Sequence, residues 1–451
     1  MDGSSRSPTV ALIAWGNVIE DYLDPLGVSL DAFLTEMTGG WMFGYLTALR
    51  QAGVGTVLVC VSKQVSAPRS TVHAPTGTPV AVLPATRAFR VARRLLGRRA
   101  KRRTSLAAVF LDYLATPPVR LRRALDRHDV DIILCQEYEA PRFDVCVAVG
   151  RATGRAVFGT YQGAYRTRRG RWGRLLERHI RRRSVRLASG LIIASRLQRE
   201  RFREAYPGVR TKLASIPNPV DVPALVERAA ARRSVGLPPQ APVVAWHGRV
   251  EMRRKGLDIL LAAWERLCRM RPDDPPLLLL MGSGSDDAAL RKRVAPHGEA
   301  VVWIDEFVHD RERIRMVLGS ADVFAFASPH EGFAVAPIEA MAMGVPVVAT
   351  DAPGIADLLP EGEHSGGIVV PVGDDVALCD AVGRLLDDEP LRREIGRLGR
   401  LRVEDAFSIE AVGRSLRAFR QHPTEALTVA IRQLYAATAQ VGAGRLTSRA
   451  F

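Results

Sequence analysis

ASPHEGFAVAPIEAMAMGVPVVATDAPG, from Ala327 to Gly354, is the stretch from which the fold can be read. The apolar run just before it, Asp322 to Phe326 (DVFAF), has the length and the β-branched and aromatic content of a buried strand that ends at Ser328-Pro329. Glu331 then falls in the loop at that strand's carboxyl end. Val335 to Met343 reads as a helix, with Pro337 tolerated in its first turn and Gly344 as the residue that ends it. Pro346 to Thr350 is the next strand, completing a βαβ unit. Open parallel sheets bind ligands outside the carboxyl ends of their strands, which is where Glu331 stands.

Glu339 carries the most information, because its helix is otherwise apolar: Val335, Ile338, Ala340, Met341, Ala342 and Met343. A helix hydrophobic on every side is buried, and a buried carboxylate is costly unless hydrogen-bond donors reach it. No Arg or Lys lies between Arg315 and Arg384 to serve. Two readings remain: a ligand's hydroxyl pair, or a side chain that snorkels out or finds backbone N–H groups. The helix start beside Gly332, Phe333 and Ala334 also offers free N–H groups and a positive dipole end, a natural seat for phosphate.

Glu331 and Glu339 stand in E-x7-E spacing, flanked by the strand, the EGF triplet, the small-residue helix, the Gly-Val-Pro-Val-Val strand and the Pro-Gly turn. In that order they resemble the donor-site signature of the retaining GT-B glycosyltransferases of family four, glycosyl transferases group one. The resemblance implies an α/β chain of two Rossmann-like domains facing each other across a cleft, with a C-terminal helix crossing back to the N-terminal domain. It implies a nucleoside diphosphate sugar as donor, with Glu331 on the sugar hydroxyls and Glu339 on the ribose. Transfer would proceed with retention of anomeric configuration to an acceptor that is a glycan, a lipid-linked molecule or a small molecule. A phosphorylase or sugar-phosphate synthase on the same fold would share this donor motif.

At 451 residues with 47% apolar and 25% charged content, the chain can bury two ordinary cores. No segment approaches the roughly 20 apolar residues of a spanning helix. MDGSSRSP at the start has no apolar h-region, so a cytoplasmic protein is expected. Cys60, Cys135, Cys146, Cys268 and Cys379 are scattered, with no pair two to four positions apart, which argues against a disulfide framework or a metal knuckle. Charge is uneven. Residues 1–220 hold 36 Lys+Arg against 16 Asp+Glu, leaving 28 against 32 for residues 221–451. Such asymmetry points the first half at an anionic partner: a membrane surface, a phosphorylated substrate or a nucleic acid. Arg accounts for 59 of the 64 basic residues, a bias that GC-rich coding alone produces. A non-catalytic anion-binding protein would rest on this basic half alone and leaves Glu339 unexplained, so no nucleic acid is expected.

In chain order, Pro8 to Ala14 is a first strand, followed by a polar and acidic insertion, Gly16 to Met37, and by Thr38-Gly39-Gly40 before a helix from Trp41 to Ala52. Glycines before a helix let backbone approach a ligand closely, or simply make a tight turn. By resemblance Gly39 and Gly40 face the acceptor, as does Gln162, which stands where the family often has a His. Leu106 to Leu125 reads as one helix. Asp129-Val130-Asp131 matches a D-x-D metal motif but precedes its strand, so no metal site is expected. Tyr165 to Leu187 is amphipathic, with Trp172, Leu175, Leu176, Ile180 and Leu187 near one face and Arg crowding the rest. That pattern suits either an anionic membrane interface, giving peripheral attachment, or a core-packed helix with a solvated Arg face. Ser195 is a plausible N-cap for the helix from Arg196 to Tyr206.

Leu213 to Asp221 (LASIPNPVD) resembles the family's hinge, which places an acceptor domain at 1–220, a donor domain at 221–405, and a closing helix with tail at 406–451. After the strand from Pro242 to Trp246, Arg249 and Lys255 stand in the R-x5-K spacing that in the family reaches the donor's diphosphate. A guanidinium plus an ammonium suits a pyrophosphate whose charge grows as its bond to the sugar breaks, so no metal or other cofactor is expected. The expected catalytic groups are Arg249, Lys255 and Glu331. His330, beside Glu331, reads as structural. The loop Asp305 to His309 resembles the region that contacts the nucleotide base. A helix to about Ala439 and a mobile end are expected in the tail.

Overall fold

The structure is a computed structural model that describes residues 7–96, 106–162 and 171–421. An eight-stranded sheet comprises β1 (Thr9–Ile13), β2 (Gly55–Ser62), β3 (Arg69–His73), β4 (Thr78–Pro84), β5 (Ile132–Cys135), β6 (Ala156–Thr160), β7 (Gly190–Ile192) and β8 (Leu213–Ala214). A six-stranded sheet comprises β9 (Val243–His247), β10 (Leu277–Met281), β11 (Val301–Ile304), β12 (Val323–Phe326), β13 (Val347–Thr350) and β14 (Gly367–Val370). The orders are β3-β4-β2-β1-β5-β6-β7-β8 and β11-β10-β9-β12-β13-β14. Every pairing is parallel except that of the edge strand β3 with β4. Central strands such as LLLLM at β10 read as continuous apolar runs because helices cover both faces. Each sheet accordingly has a core on either side.

Chain direction across the first sheet reverses between β1 and β5, and across the second between β9 and β12. Such reversal points open a crevice at the carboxyl ends of the two strands.

Three expectations need correction. The helix expected from Leu106 to Leu125 is two, Leu106–Ala115 and Pro118–Arg127, because Pro118 forces Pro117 into extended backbone (φ −82°, ψ 101°). The insertion at 16–37 is not a polar loop but a cover on the first core: Ile19, Tyr22, Leu23, Leu30, Phe33 and Met37 are buried. Buried Glu20 fastens it by accepting hydrogen bonds from the Ser62 hydroxyl and the Lys63 and Gln64 N–H groups. The third concerns Arg181, in the helix Arg171–Leu187. It is buried, not solvated, and binds Asp144 at 2.9 Å and the Ala140 and Glu139 carbonyls. The side chains of Trp172, Leu175 and Leu176, residues 165–170 and the tail from 422 lie outside the described residues.

The helix Ile409–Gln421 packs on the first sheet's helix Trp41–Gln51, with Phe419 edge-on to Phe158 at 5.4 Å. A bridge between Val220 and Ser408 ties the linker to the start of that helix. The two sheets are thereby held with their crevices on one cleft.

Candidate functional site

The crevice between β9 and β12 gathers most of the residues singled out in the second half. The loop after β9 is tied to the end of β10 by Gly248 N–H to Met281 O and Val250 N–H to Ser283 O. That approach is so close that a Cβ on Gly282 would lie 1.9 Å from Gly248 O, so Gly282 and Gly284 are packing glycines. Arg249 leaves this loop with its guanidinium part-exposed and 4.0 Å from Glu251. Gly256, at φ +62°, then turns the chain into the helix Leu257–Met270, and a Cβ there would strike Ala327 O at 2.0 Å. This contact brings the Lys255 loop onto the end of β12. Lys255 Nζ donates to Glu331 Oε1 at 2.6 Å, and Ser328 Oγ donates to the same oxygen at 2.7 Å. Lys255 and Glu331, 76 residues apart in sequence, therefore form one charged pair in a half-buried site.

The reading of Glu339 changes. Its helix, Ala336–Ala342, buries Ile338, Ala340, Met341 and Ala342, but the carboxylate itself is half-exposed. It also has a partner that no local reading could supply: His247 Nε2, at the end of β9, faces Glu339 Oε2 at 3.0 Å, off the line of a hydrogen bond. Gly332, Phe333 and Ala334 form the turn before that helix, with Phe333 against Phe407 at 5.8 Å between centroids. His330 points to solvent.

The first sheet supplies the opposing wall. Gly40, at φ +106°, starts the helix Trp41–Gln51, and Gly39 N–H and the Thr38 hydroxyl both donate to His309 O, in the loop after β11. The Gly-Gly turn thus seats the other domain's loop, with Phe307 packed against the first core. Tyr22 lies beneath Gly40, and burial raises its hydroxyl pKa against the pull of the Arg249 guanidinium. Gln162 exchanges hydrogen bonds with the linker's Asn218 (3.2 and 2.9 Å) and donates to Gln136 Oε1 at 3.1 Å. On a third contact, Asp357 of the second domain accepts from Arg196 N–H at 3.0 Å, capping the helix Arg196–Ala205, which the Ser195 side chain does not cap. Asp131 accepts from Thr9 N–H, which makes it a strand-start residue.

Among the described residues no group of three or more His, Cys, Asp or Glu could hold a metal ion, and no helix is long and apolar enough to cross a membrane.

Sequence reasoning passed over His247, Trp15, Trp41, Gln136 and Glu137. The signal available for the last two was their place just past the strand Val130 to Cys135. Burial made Glu137 stand out: it is fully buried, at φ +65°, with neither carboxylate oxygen in a hydrogen bond of good geometry. Desolvation pushes its pKa up to about 8, against the weaker pull of the Trp15 indole.

Two family models match this chain: the one described as Glycosyl transferases group 1 over residues 241–388, and Glycosyltransferase Family 4 over residues 45–223. The chain is 30% identical to the lipopolysaccharide core biosynthesis mannosyltransferase LpsB of Rhizobium meliloti, over 43% of this chain and 55% of that one. It is 31% identical to the D-inositol 3-phosphate glycosyltransferase of Nocardia farcinica (54% and 53%). It is also 31% identical to a GDP-mannose-dependent phosphatidylinositol monomannoside mannosyltransferase of Corynebacterium glutamicum (48% and 58%). The match thus spans about half the length of these curated relatives. In fold it is similar to sucrose-phosphate synthase from Thermosynechococcus elongatus (TM-score 0.63, 22% identity, 95% and 100% covered). It is similar too to Anabaena HepE in complex with UDP (TM-score 0.64, 16% identity, 91% and 98% covered).

Proposed function

Since the chain belongs to the group 1, family four glycosyltransferases with the GT-B fold, we propose that it moves a sugar from a nucleoside diphosphate sugar to an acceptor hydroxyl, with retention of configuration. The observation that carries this reading is the Lys255 and Glu331 pair at the β9/β12 crevice, with Arg249 in the same loop as Lys255. A diphosphate entering there meets an ammonium and a part-exposed guanidinium. Lys255 then exchanges its carboxylate partner for the diphosphate, which frees Glu331 for the sugar's hydroxyls. Glu339, beside His247, takes the ribose hydroxyls in this reading.

As the bond between the anomeric carbon and the diphosphate oxygen breaks, its electron pair passes to the diphosphate. Arg249, Lys255 and the turn at Gly332 to Ala334 offset the growing charge. The acceptor oxygen bonds to the anomeric carbon on the same face, and its proton goes to the departing phosphate. No metal takes part in this scheme. Peripheral attachment to an anionic membrane belongs to the same proposal and rests on the basic first half.

The test is a thermal-stability screen with UDP, GDP, ADP and dTDP and their sugars, in EDTA. GDP comes first because one matched relative is named for GDP-mannose. A ligand that binds only the native state at 100 times its Kd adds about 2.7 kcal/mol, roughly a 5–10 °C shift for domains of this size. One nucleotide should stand out, and Lys255→Ala should abolish its shift and slow transfer about a hundredfold or more. No response to any nucleotide at millimolar concentration would overturn the reading. Phosphate-dependent turnover would replace transfer with phosphorolysis.

A further inference from the structure

The crevice of the first sheet, between the carboxyl ends of β1 and β5, holds two buried side chains that the donor chemistry does not use. Gln136 and Glu137 follow β5 directly, and both are fully buried. Gln136 Oε1 accepts from the Trp41 indole N–H (3.1 Å), the Thr160 hydroxyl (3.3 Å) and Gln162 (3.1 Å). Indole N–H can only donate, so it fixes that atom as the oxygen and leaves Nε2 as the donor end. Nε2 has no partner, and the adjacent Glu137 carboxyl, which only the Trp15 indole approaches as a side-chain donor, makes no hydrogen bond of good geometry. Buried polar groups are nearly always paired, so an unpaired donor beside a poorly paired carboxyl wants an explanation. Glu137 also sits on left-handed backbone (φ +65°), a strained setting for a non-glycine that clusters at ligand sites.

We propose that this crevice is a sugar subsite on the acceptor side of the cleft, in which the Gln136 amide and the Glu137 carboxyl take a vicinal hydroxyl pair beneath the rings of Trp15 and Trp41. The proposal rests on the donor-site reading above. Trp15 follows β1 and Trp41 opens the helix Trp41–Gln51, and both rings are only partly buried. Tyr22 stands edge-on between them, at 6.0 Å from Trp15 and 5.6 Å from Trp41. Flat aromatic faces with a few convergent polar groups are the chemistry of a pyranose or polyol site. Trp15 covers the Glu137 carboxyl, and a sugar ring that displaces it exposes the pair. The Arg142 guanidinium, the cation acting on Glu137, gives one Nη each to Gly16 O and Gln136 O, which pins the two crevice walls together. The ligand drawn by this set is an uncharged hydroxyl-bearing ring.

The experiment is a titration of the full chain's tryptophan emission with methyl α-D-mannopyranoside and with myo-inositol, both neutral and rich in vicinal hydroxyls. It is run on the parent, Glu137→Leu, Gln136→Leu and Lys255→Ala. The parent and Lys255→Ala should saturate alike with at least one of the two probes. Glu137→Leu and Gln136→Leu should bind about tenfold or more weakly. Glu137→Leu should melt at or above the parent temperature, because it removes a poorly paired buried carboxyl. No saturable response in the parent, or an unchanged titration in both leucine variants, overturns the proposal. So does a Glu137→Leu variant that melts well below the parent, since that marks a structural carboxyl. Because Lys255→Ala lacks the donor contact, a failed nucleotide screen with an intact sugar titration overturns the transfer reading and the acceptor role while keeping a sugar site.

Discussion

Glu137 makes the stability of the first domain depend on pH in a direction opposite to most carboxylates. Its carboxyl moves from 4.5 in the unfolded chain to about 8 in the folded one, chiefly by desolvation. Glu139 and Cys135 push it further up, while Trp15 and Arg142 pull it down. The folded state therefore holds a proton that the unfolded state has lost between those two values. In that window the unfolded state binds fewer protons, so stability falls as pH rises, by about 1.4 kcal/mol per unit. The contribution is complete below pH 4.5 and gone above about 8. From pH 4.5 to pH 7 the loss comes to roughly 3 kcal/mol. The perturbation is Glu137→Gln, which has the size of the neutral acid and does not titrate. Urea unfolding of parent and variant at half-unit steps from pH 5 to pH 8 gives a difference in which other titrating groups cancel. The parent should already stand about 1 kcal/mol lower at pH 5 than its low-pH limit, and the gap to the variant should widen with the stated slope until about pH 8. A flat difference would mean that Glu137 is solvated or ionised in the native state, and the burial argument would fail.

Three further outcomes are expected. Arg181→Ala should cost about 3–5 kcal/mol by leaving buried Asp144 without its guanidinium, whereas Arg183→Ala, exposed on the same helix, should change urea stability by less than about 0.5 kcal/mol. Asp357→Ala should remove the cross-domain cap on the helix Arg196–Ala205, worth about 0.5–2 kcal/mol, and speed hydrogen exchange at Arg196; exchange at the parent rate would show that the contact is not made in solution. Gly256→Ala places a Cβ 2.0 Å from Ala327 O at φ +62°, so the Lys255 loop must shift. It should lower thermal stability and weaken the nucleotide response together, and a variant with parental nucleotide affinity would show that the loop position is not set by this contact.

The donor crevice was legible because its parts are local. Glu331, the turn after it and the helix holding Glu339 lie within one βαβ unit, where a short apolar strand runs into a small-residue helix that Pro337 and Gly344 punctuate. Arg249 and Lys255 stand out only through the resemblance, which supplies the meaning of their R-x5-K spacing. What a linear reading gave wrongly depended on distance in sequence. It leaves Glu339 with either a ligand or a side chain that snorkels out, and sees no partner in the chain, yet His247 arrives from a strand 92 residues earlier. It turns every Arg of the helix Arg171–Leu187 outward, to a membrane surface or to water, yet Arg181 meets Asp144 across a helix pair. A basic residue at an apolar position looks like an exposed one until the opposite carboxylate is known.

Sequence by itself determined that there are two parallel α/β units, which residues punctuate them, and which cations and acids stand in the loops after the second sheet's strands. Periodicity, chain-breaking residues and short spacings are properties of neighbouring side chains, so they survive being read in one dimension. Tertiary structure alone decided which strands lie side by side, and so where each sheet reverses. It joined Lys255 to Glu331, set His309 on the Gly39 turn, and buried the Gln136 Nε2 donor end next to the Glu137 carboxyl. Solvation and pairing depend on what packs from elsewhere in the chain, and a charge or an amide acquires its energy only once water has been excluded from around it.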